Sequence, residues 1–128
     1  MSVYFYTSLI TLVALLQYFG LTIFVSYNRV KHSVKAPKIS GNDTFERVFR
    51  IHQNTLEQIV LFLPLIWLFG YLISDLWAGL LGFLWVISRF VYAVGYYQHP
   101  DKRTLGVALS WTITTILILS ISVALVIL

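Results

Sequence analysis

From Val3 to Asn28 no side chain carries a charge, and none does again after Arg103. About 20 apolar residues in a helix cross the hydrocarbon of a bilayer. Two more apolar runs lie between these stretches, IVLFLPLIWLFGYLI at 59–73 and LWAGLLGFLWVISRFVYAVGYY at 76–97, the second broken by a single arginine. The chain therefore has room for four spans and little else. In lipid every backbone polar group must be satisfied internally, so these runs are read as helices. The sequence predicts an all-α integral membrane protein, a bundle of four transmembrane helices forming one domain over residues 1–128. With 59% apolar and 11% charged side chains, against about 25% charge in soluble domains, the composition agrees. The first run is too long for the apolar core of a secretory signal and has no basic residues before it, so it is expected to remain as helix 1.

The absence of cysteine excludes a disulfide frame, a thiolate metal site and a protein thiol nucleophile. Any sulfur chemistry must arrive with a ligand. The net charge of +4 comes from basic residues at helix ends and within spans rather than in an exposed run, so nucleic acid is not an expected partner. His52 and His99 fall on different segments, without an HxxxH or HExxH arrangement, and no metal site is expected. A Gly-rich phosphate loop and a GxSxG nucleophile elbow are also lacking.

Between helices 1 and 2, residues 29–43 hold Arg29, Lys31, Lys35 and Lys38 with Pro37, Gly41 and Asn42, a basic loop with turn residues. Thr44 or Asp43 is placed as the cap of helix 2, which begins at Phe45, passes through the charged FERVFRIHQNTLEQ and enters the apolar run, where Pro64 predicts a kink. A short turn at Ser74 and Asp75 leads into helix 3, which is expected to reach about Tyr97. His99, Pro100 and Asp101 break it, and helix 4 is expected from about Arg103 to Leu128.

Chemistry is concentrated in two stripes. In helix 2, Arg47, Arg50, Asn54 and Glu57 are spaced by three, four and three residues and share one face. Charged groups at membrane depth usually face a bundle interior or a water-filled cavity and mark functional sites. The plain alternative is a network that only holds helices together, or, for Arg47, a place among the headgroups. In helix 3, Arg89, Tyr92 and Tyr96 repeat the spacing. As isolated features, the tyrosines also fit an interfacial aromatic belt, and Arg89 could snorkel or pair with a helix 2 carboxylate. Arg103, beside Lys102, fits either a positive-inside anchor or a cation that stabilises an imported thiolate.

The stretch Phe45–Pro64, FERVFRIHQNTLEQIVLFLP, resembles the second-helix signature of the MAPEG superfamily, and Ser88–Arg103, SRFVYAVGYYQHPDKR, is similar to the third-helix pattern and basic loop of its microsomal glutathione transferase and leukotriene-C synthase branch. The resemblance implies a homotrimer binding glutathione between subunits near the cytosolic face. Carried over by position, it implies that Arg50, Asn54, Glu57, Tyr92 and Tyr96 contact glutathione, with Arg29 of a neighbouring subunit and His52 as further contacts, and that Arg103 polarises the sulfur. Gln58 stands where relatives often place a tyrosine. The implied activity is a membrane-bound glutathione transferase of detoxification type, with glutathione peroxidase activity as an accompaniment. Glutathione is its co-substrate, and the second substrate, a hydrophobic electrophile or a lipid hydroperoxide, arrives through the membrane lipids between helices 1 and 4. The alternative within the same fold is a non-catalytic lipid- or glutathione-binding membrane protein. A small multidrug pump, also four helices, would hold a carboxylate in its first helix, and helix 1 has none.

Lys and Arg mark cytosolic loops. The first and third loops hold nearly all of them, which places both termini on the non-cytosolic side, in either a bacterial plasma membrane or a eukaryotic endomembrane. With single cysteines at Ser2 and Ser40, an impermeant reagent outside intact cells is expected to label the first and not the second; the reverse pattern would invert the topology.

Overall fold

The computed structural model describes residues 2–128 and consists of four long helices: α1 (Phe5–Lys31), α2 (Asp43–Leu72), α3 (Asp75–Gln98) and α4 (Thr104–Ile127). Each is long and apolar enough to cross a membrane. α2 and α3 pack against each other and each touches both other helices, which leaves α1 and α4 on opposite flanks of the α2–α3 pair. Between α2 and α3 only Ile73 and Ser74 intervene, so these two run antiparallel.

The ends of the helices depart from the sequence reading by a few residues. α1 continues to Lys31, three residues past the uncharged stretch, because Arg29 and Lys31 in its last turn suit the negative end of the helix dipole. The cap of α2 is Asn42, not Thr44 or Asp43. Asn42 takes an extended backbone and its side chain accepts from the Phe45 amide at 2.9 Å, while Asp43 and Glu46 occupy the first turn, where carboxylates are favoured. Pro64 lies inside α2, which is assigned as one helix throughout. At the other corner, His99 Nδ1 accepts from the Asp101 amide and opens a 3-10 turn over Pro100–Arg103. Arg103 therefore precedes α4 rather than beginning it.

The main core runs through the middle of the bundle. Phe62 of α2 and Trp85 of α3 stack at 4.0 Å with planes 7° apart, and Ile59, Ile66, Leu117 and Ile121 close around them. Near the basic loop a smaller group forms from Val25, Val34, Phe45 and Val48. Outward-facing side chains remain apolar: Phe19, Leu119 and Val123 are each about 60% exposed, as a lipid-facing surface requires. Small residues let the backbones close up, as is usual between membrane helices. A Cβ at Gly106 would strike the Tyr92 backbone, and one at Gly95 the Lys102 carbonyl, so both fix the approach of α4 and its preceding turn to α3.

α1 is joined by polar contacts that sequence spacing does not reveal. No side chain of its own caps α1. Asp75, at the start of α3, does so instead: Oδ2 accepts from the Tyr6 amide at 3.0 Å, and Oδ1 from the Thr7 amide and hydroxyl, both at 2.8 Å. Further along, Gln17 Nε2 donates to the Val86 carbonyl at 3.0 Å. Because the cap is tertiary, its loss frees one end of α1 from the bundle. Thermal unfolding in detergent is expected to rank wild type above Asp75→Asn above Asp75→Ala, since asparagine retains one acceptor oxygen. Equal midpoints for all three would remove Asp75 from this role.

Candidate functional site

α2 extends well beyond what a membrane needs. Thirty residues make a helix of about 45 Å, against a hydrocarbon thickness of about 30 Å. With Leu72 at one membrane boundary, the polar N-terminal third protrudes and Glu57 lies roughly one turn inside the hydrocarbon. On this helix Arg50 Nη1 meets Glu57 Oε1 at 3.3 Å, two turns along the same face, with both side chains 52% exposed. Glu57, the deeper member of the pair, is not in a stable end state against lipid and calls for polar cover, while Arg50 lies in the protruding third.

Beneath the pair lies a sealed network. Arg89 of α3 is 2% exposed. Its Nη2 donates to Asn54 Oδ1 at 2.6 Å and to Thr55 Oγ1 at 3.0 Å, and its Nη1 to Ser110 Oγ at 3.4 Å. The guanidinium thus joins α2, α3 and α4. The carboxylate partner that the sequence offers for Arg89 is not met: among the described residues it makes no ion pair, and its head is enclosed by protein. Its partners are neutral oxygens and the face of Tyr92, 4.3 Å from Cζ to the ring centroid.

From Tyr92 the contacts continue outward. The Tyr92 and Tyr96 rings meet edge to face at 5.7 Å, and Arg103 Cζ stands 5.5 Å from the Tyr96 centroid. Tyr92 is buried and Tyr96 half-buried, so these tyrosines form a packed line from Arg89 to Arg103 rather than a belt. Arg103 itself is exposed. The 3-10 turn sets it there, and Gly95, which admits the Lys102 carbonyl, holds that turn against α3.

Two of the residues singled out from the sequence lie elsewhere. Arg29 Nη1 donates to the carbonyls of Lys38 at 2.6 Å and Val34 at 3.3 Å, and its guanidinium rests 4.9 Å from the Phe45 centroid. Within one chain it fastens the basic loop. His52 faces α1, hydrogen-bonded to the Thr22 hydroxyl at 3.0 Å and stacked on Tyr18 at 4.7 Å. It sits about 200° around α2 from Arg50, at 100° per residue. The sequence reading missed Thr55 and Ser110 as partners of Arg89. Thr55 adjoins Asn54, and that adjacency to the polar stripe was the signal available.

An apolar groove opens on the outer side of the 3-10 turn, with a volume near 970 Å³ and walls that include Phe90, Val94, Leu105 and Ala108. A cleft between helices 1 and 4, by contrast, does not exist within a chain whose α1 and α4 lie on opposite flanks.

The fold and polar line define a class: a multi-pass helical membrane protein with a guanidinium-rich site at one end of the bundle. The MAPEG family profile matches residues 7–123, and the chain belongs to that family. An uncharacterised protein of Synechocystis sp. is 43% identical over 111 residues, 87% of this chain and 81% of that protein. Microsomal glutathione S-transferase 2 of Mus musculus is 37% identical over 70% of this chain and 60% of the mouse protein, and leukotriene C4 synthase of Cavia porcellus 33% identical over 71% of this chain and 59% of that enzyme. The aligned stretch thus spans about three fifths of those two relatives.

Proposed function

We propose that this protein is a membrane-bound glutathione transferase that ionises the glutathione thiol and directs it at hydrophobic electrophiles, with reduction of lipid hydroperoxides as a second outcome of the same thiolate. The observation that carries the reading is the half-exposed Arg50–Glu57 pair, flanked by Asn54 and by the line of Tyr92, Tyr96 and Arg103. Relatives named as a glutathione S-transferase and a leukotriene C4 synthase support it.

Glutathione answers the pair's two charges: a carboxylate for Arg50 and the ammonium for Glu57, each exchanging an open ion pair for a shielded, charge-assisted one. Its amides and remaining carboxylate fall to Asn54, Tyr92 and Tyr96. Placing the ligand here puts its thiol at the end of the line where Arg103 stands. A fixed cation within hydrogen-bond reach favours the thiolate, so the proton leaves to water and the sulfur becomes nucleophilic near neutral pH. The thiolate then forms a C–S bond with the electrophilic carbon, whose displaced pair leaves with the leaving group or takes up a proton. With a hydroperoxide, the thiolate attacks the O–O bond to release an alcohol, and a second glutathione completes the disulfide and water.

The exposure of the Arg50–Glu57 pair on a helix apolar enough to cross a membrane supports a second element of the reading, cover of the polar face of α2 by a neighbouring copy, in the homotrimer that the resemblance implies. A cleft for the apolar substrate between helices 1 and 4 then forms between subunits, where α1 of one chain can meet α4 of the next. Arg29 and His52 reach glutathione only from a neighbour in this arrangement.

Arg50→Ala and Glu57→Ala are each expected to raise the glutathione dissociation constant about tenfold or more, the cost of a lost charged hydrogen bond in a shielded site. Calorimetric titration of the purified protein measures it, and unchanged affinity would leave the pair structural.

Arg103→Leu is expected to bind glutathione while its bound thiol titrates about 2 pH units higher, roughly 2.7 kcal/mol of thiolate stabilisation. The ultraviolet thiolate absorbance of the complex follows this directly, and turnover with a model electrophile should fall with it. Wild-type titration and turnover in this variant would make Arg103 a membrane anchor. Glutathione binding with no turnover of electrophile or hydroperoxide by the wild type would favour a non-catalytic binding protein.

A further inference from the structure

Arg89 has no ligand to hold in the reading above, yet it is a cation sealed at 2% exposure among three helices. We propose that Arg89 is a positioning residue: it locks the Asn54 amide with Oδ1 turned into the protein, so that Nδ2 faces the glutathione site as a hydrogen-bond donor. The group met by Asn54 must then be an acceptor, a carboxylate or amide carbonyl of glutathione, and not its ammonium. This inference rests on the glutathione reading of the site.

The two ends of an asparagine amide have nearly the same shape, and only their partners tell them apart. Here the partner decides without ambiguity, because a guanidinium has five donors and no acceptor. The atom 2.6 Å from Arg89 Nη2 must be the oxygen. A contact this short is charge-assisted, and turning the amide over would set N–H against N–H.

The guanidinium cannot follow such a turn, because other helices hold it. Thr55 on α2 and Ser110 on α4 accept from it. Ser110 is fixed in turn by donating to the Gly106 carbonyl at 2.8 Å, and Tyr92 lies against the guanidinium at 4.3 Å. Asn54 is half-buried, and its Nδ2 has no acceptor among the described residues, nor is it sealed from solvent. Standing four residues after Arg50 and three before Glu57, it shares the helix face of the open pair, and its free donor is available to a ligand bound there.

The two carboxamide and carboxylate positions on α2 therefore divide the work. Glu57 accepts, Asn54 donates, and a ligand with ammonium and carboxylate exchanged would meet the wrong partner at both.

Glutathione affinity of the full-length protein in detergent tests this by calorimetry. Asn54→Asp keeps an acceptor for Arg89, so its unfolding midpoint is expected to match or exceed the wild type. It loses the outward donor, and its dissociation constant is expected to rise at least about tenfold. Because Arg89 acts through Asn54, Arg89→Leu is expected to weaken binding in the wild-type background and to change it little in Asn54→Ala. If Arg89→Leu does not assemble, Arg89→Lys replaces it in the same cycle. Wild-type affinity in Asn54→Asp, or full multiplication of the two effects in the cycle, would overturn the inference while leaving the glutathione site standing. Failure of the wild type to bind glutathione would overturn the site reading, and this inference with it.

Discussion

A guanidinium buried among membrane helices with no carboxylate beside it is the constraint on which the rest of the structure turns. Outside water, Arg89 must replace its hydration shell with protein oxygens, and the shell it has comes from two neighbouring helices. Asn54 and Thr55 are consecutive on α2, so one arginine reads two successive positions and thereby sets the rise of α3 along α2. Ser110 does the same for α4. Apolar packing alone leaves such registers loosely determined in lipid, where tails compete equally for every apolar face. Directional hydrogen bonds to a cation do not. The close approach at Gly106 is the steric counterpart, since the Ser110 hydroxyl reaches Arg89 only while α4 lies against the backbone of Tyr92.

α1 takes no part in that network and is held by a different set of contacts. Asp75 caps its first turn, Gln17 donates to the Val86 carbonyl, and Thr22 bonds to His52. These points run from its first turn, at Thr7, to the middle, at Gln17, and one turn beyond, at Thr22. The bundle thus has a three-helix unit tied by one arginine and a fourth helix tied by separate polar contacts. In the proposed assembly the same helix would meet a neighbouring copy, and a helix fastened at discrete points can present a surface on its other side without disturbing Arg89.

Absence of charge over long stretches made the four spans legible, and the three-and-four spacing of Arg50, Asn54 and Glu57 made one polar face legible. Both follow from local geometry. What spacing could not convey was which faces meet. Arg89 reads from sequence as either a snorkelling cation or a partner for a helix 2 carboxylate, whereas the structure solvates it with hydroxyls and an amide whose sequence signature is weak. Asp75 looked like a turn residue, and its partners lie 68 and 69 residues away. His52, two positions from Arg50, entered only through the resemblance, and within one chain the helix carries it to the side facing α1. Helix ends were misplaced because charge limits a membrane span but not the helix: Arg29 and Lys31 stay helical past the hydrocarbon, and Asn42 caps α2 three residues before Phe45.

The charge balance of the site argues for the kind of ligand it can hold. Arg50 is neutralised by Glu57, but Arg89 and Arg103 meet only neutral oxygens or aromatic faces. Guanidiniums outnumber carboxylates along the polar line, which leaves it net positive. Glutathione ionised at sulfur carries two carboxylates, one thiolate and one ammonium, and is two charges negative. With the thiol protonated, the ligand answers one positive charge fewer in a region of reduced dielectric, where an imbalance costs most. Binding and ionisation are therefore coupled in the proposed enzyme, and Arg103, exposed at the end of the line, is where its positive potential acts on a single atom.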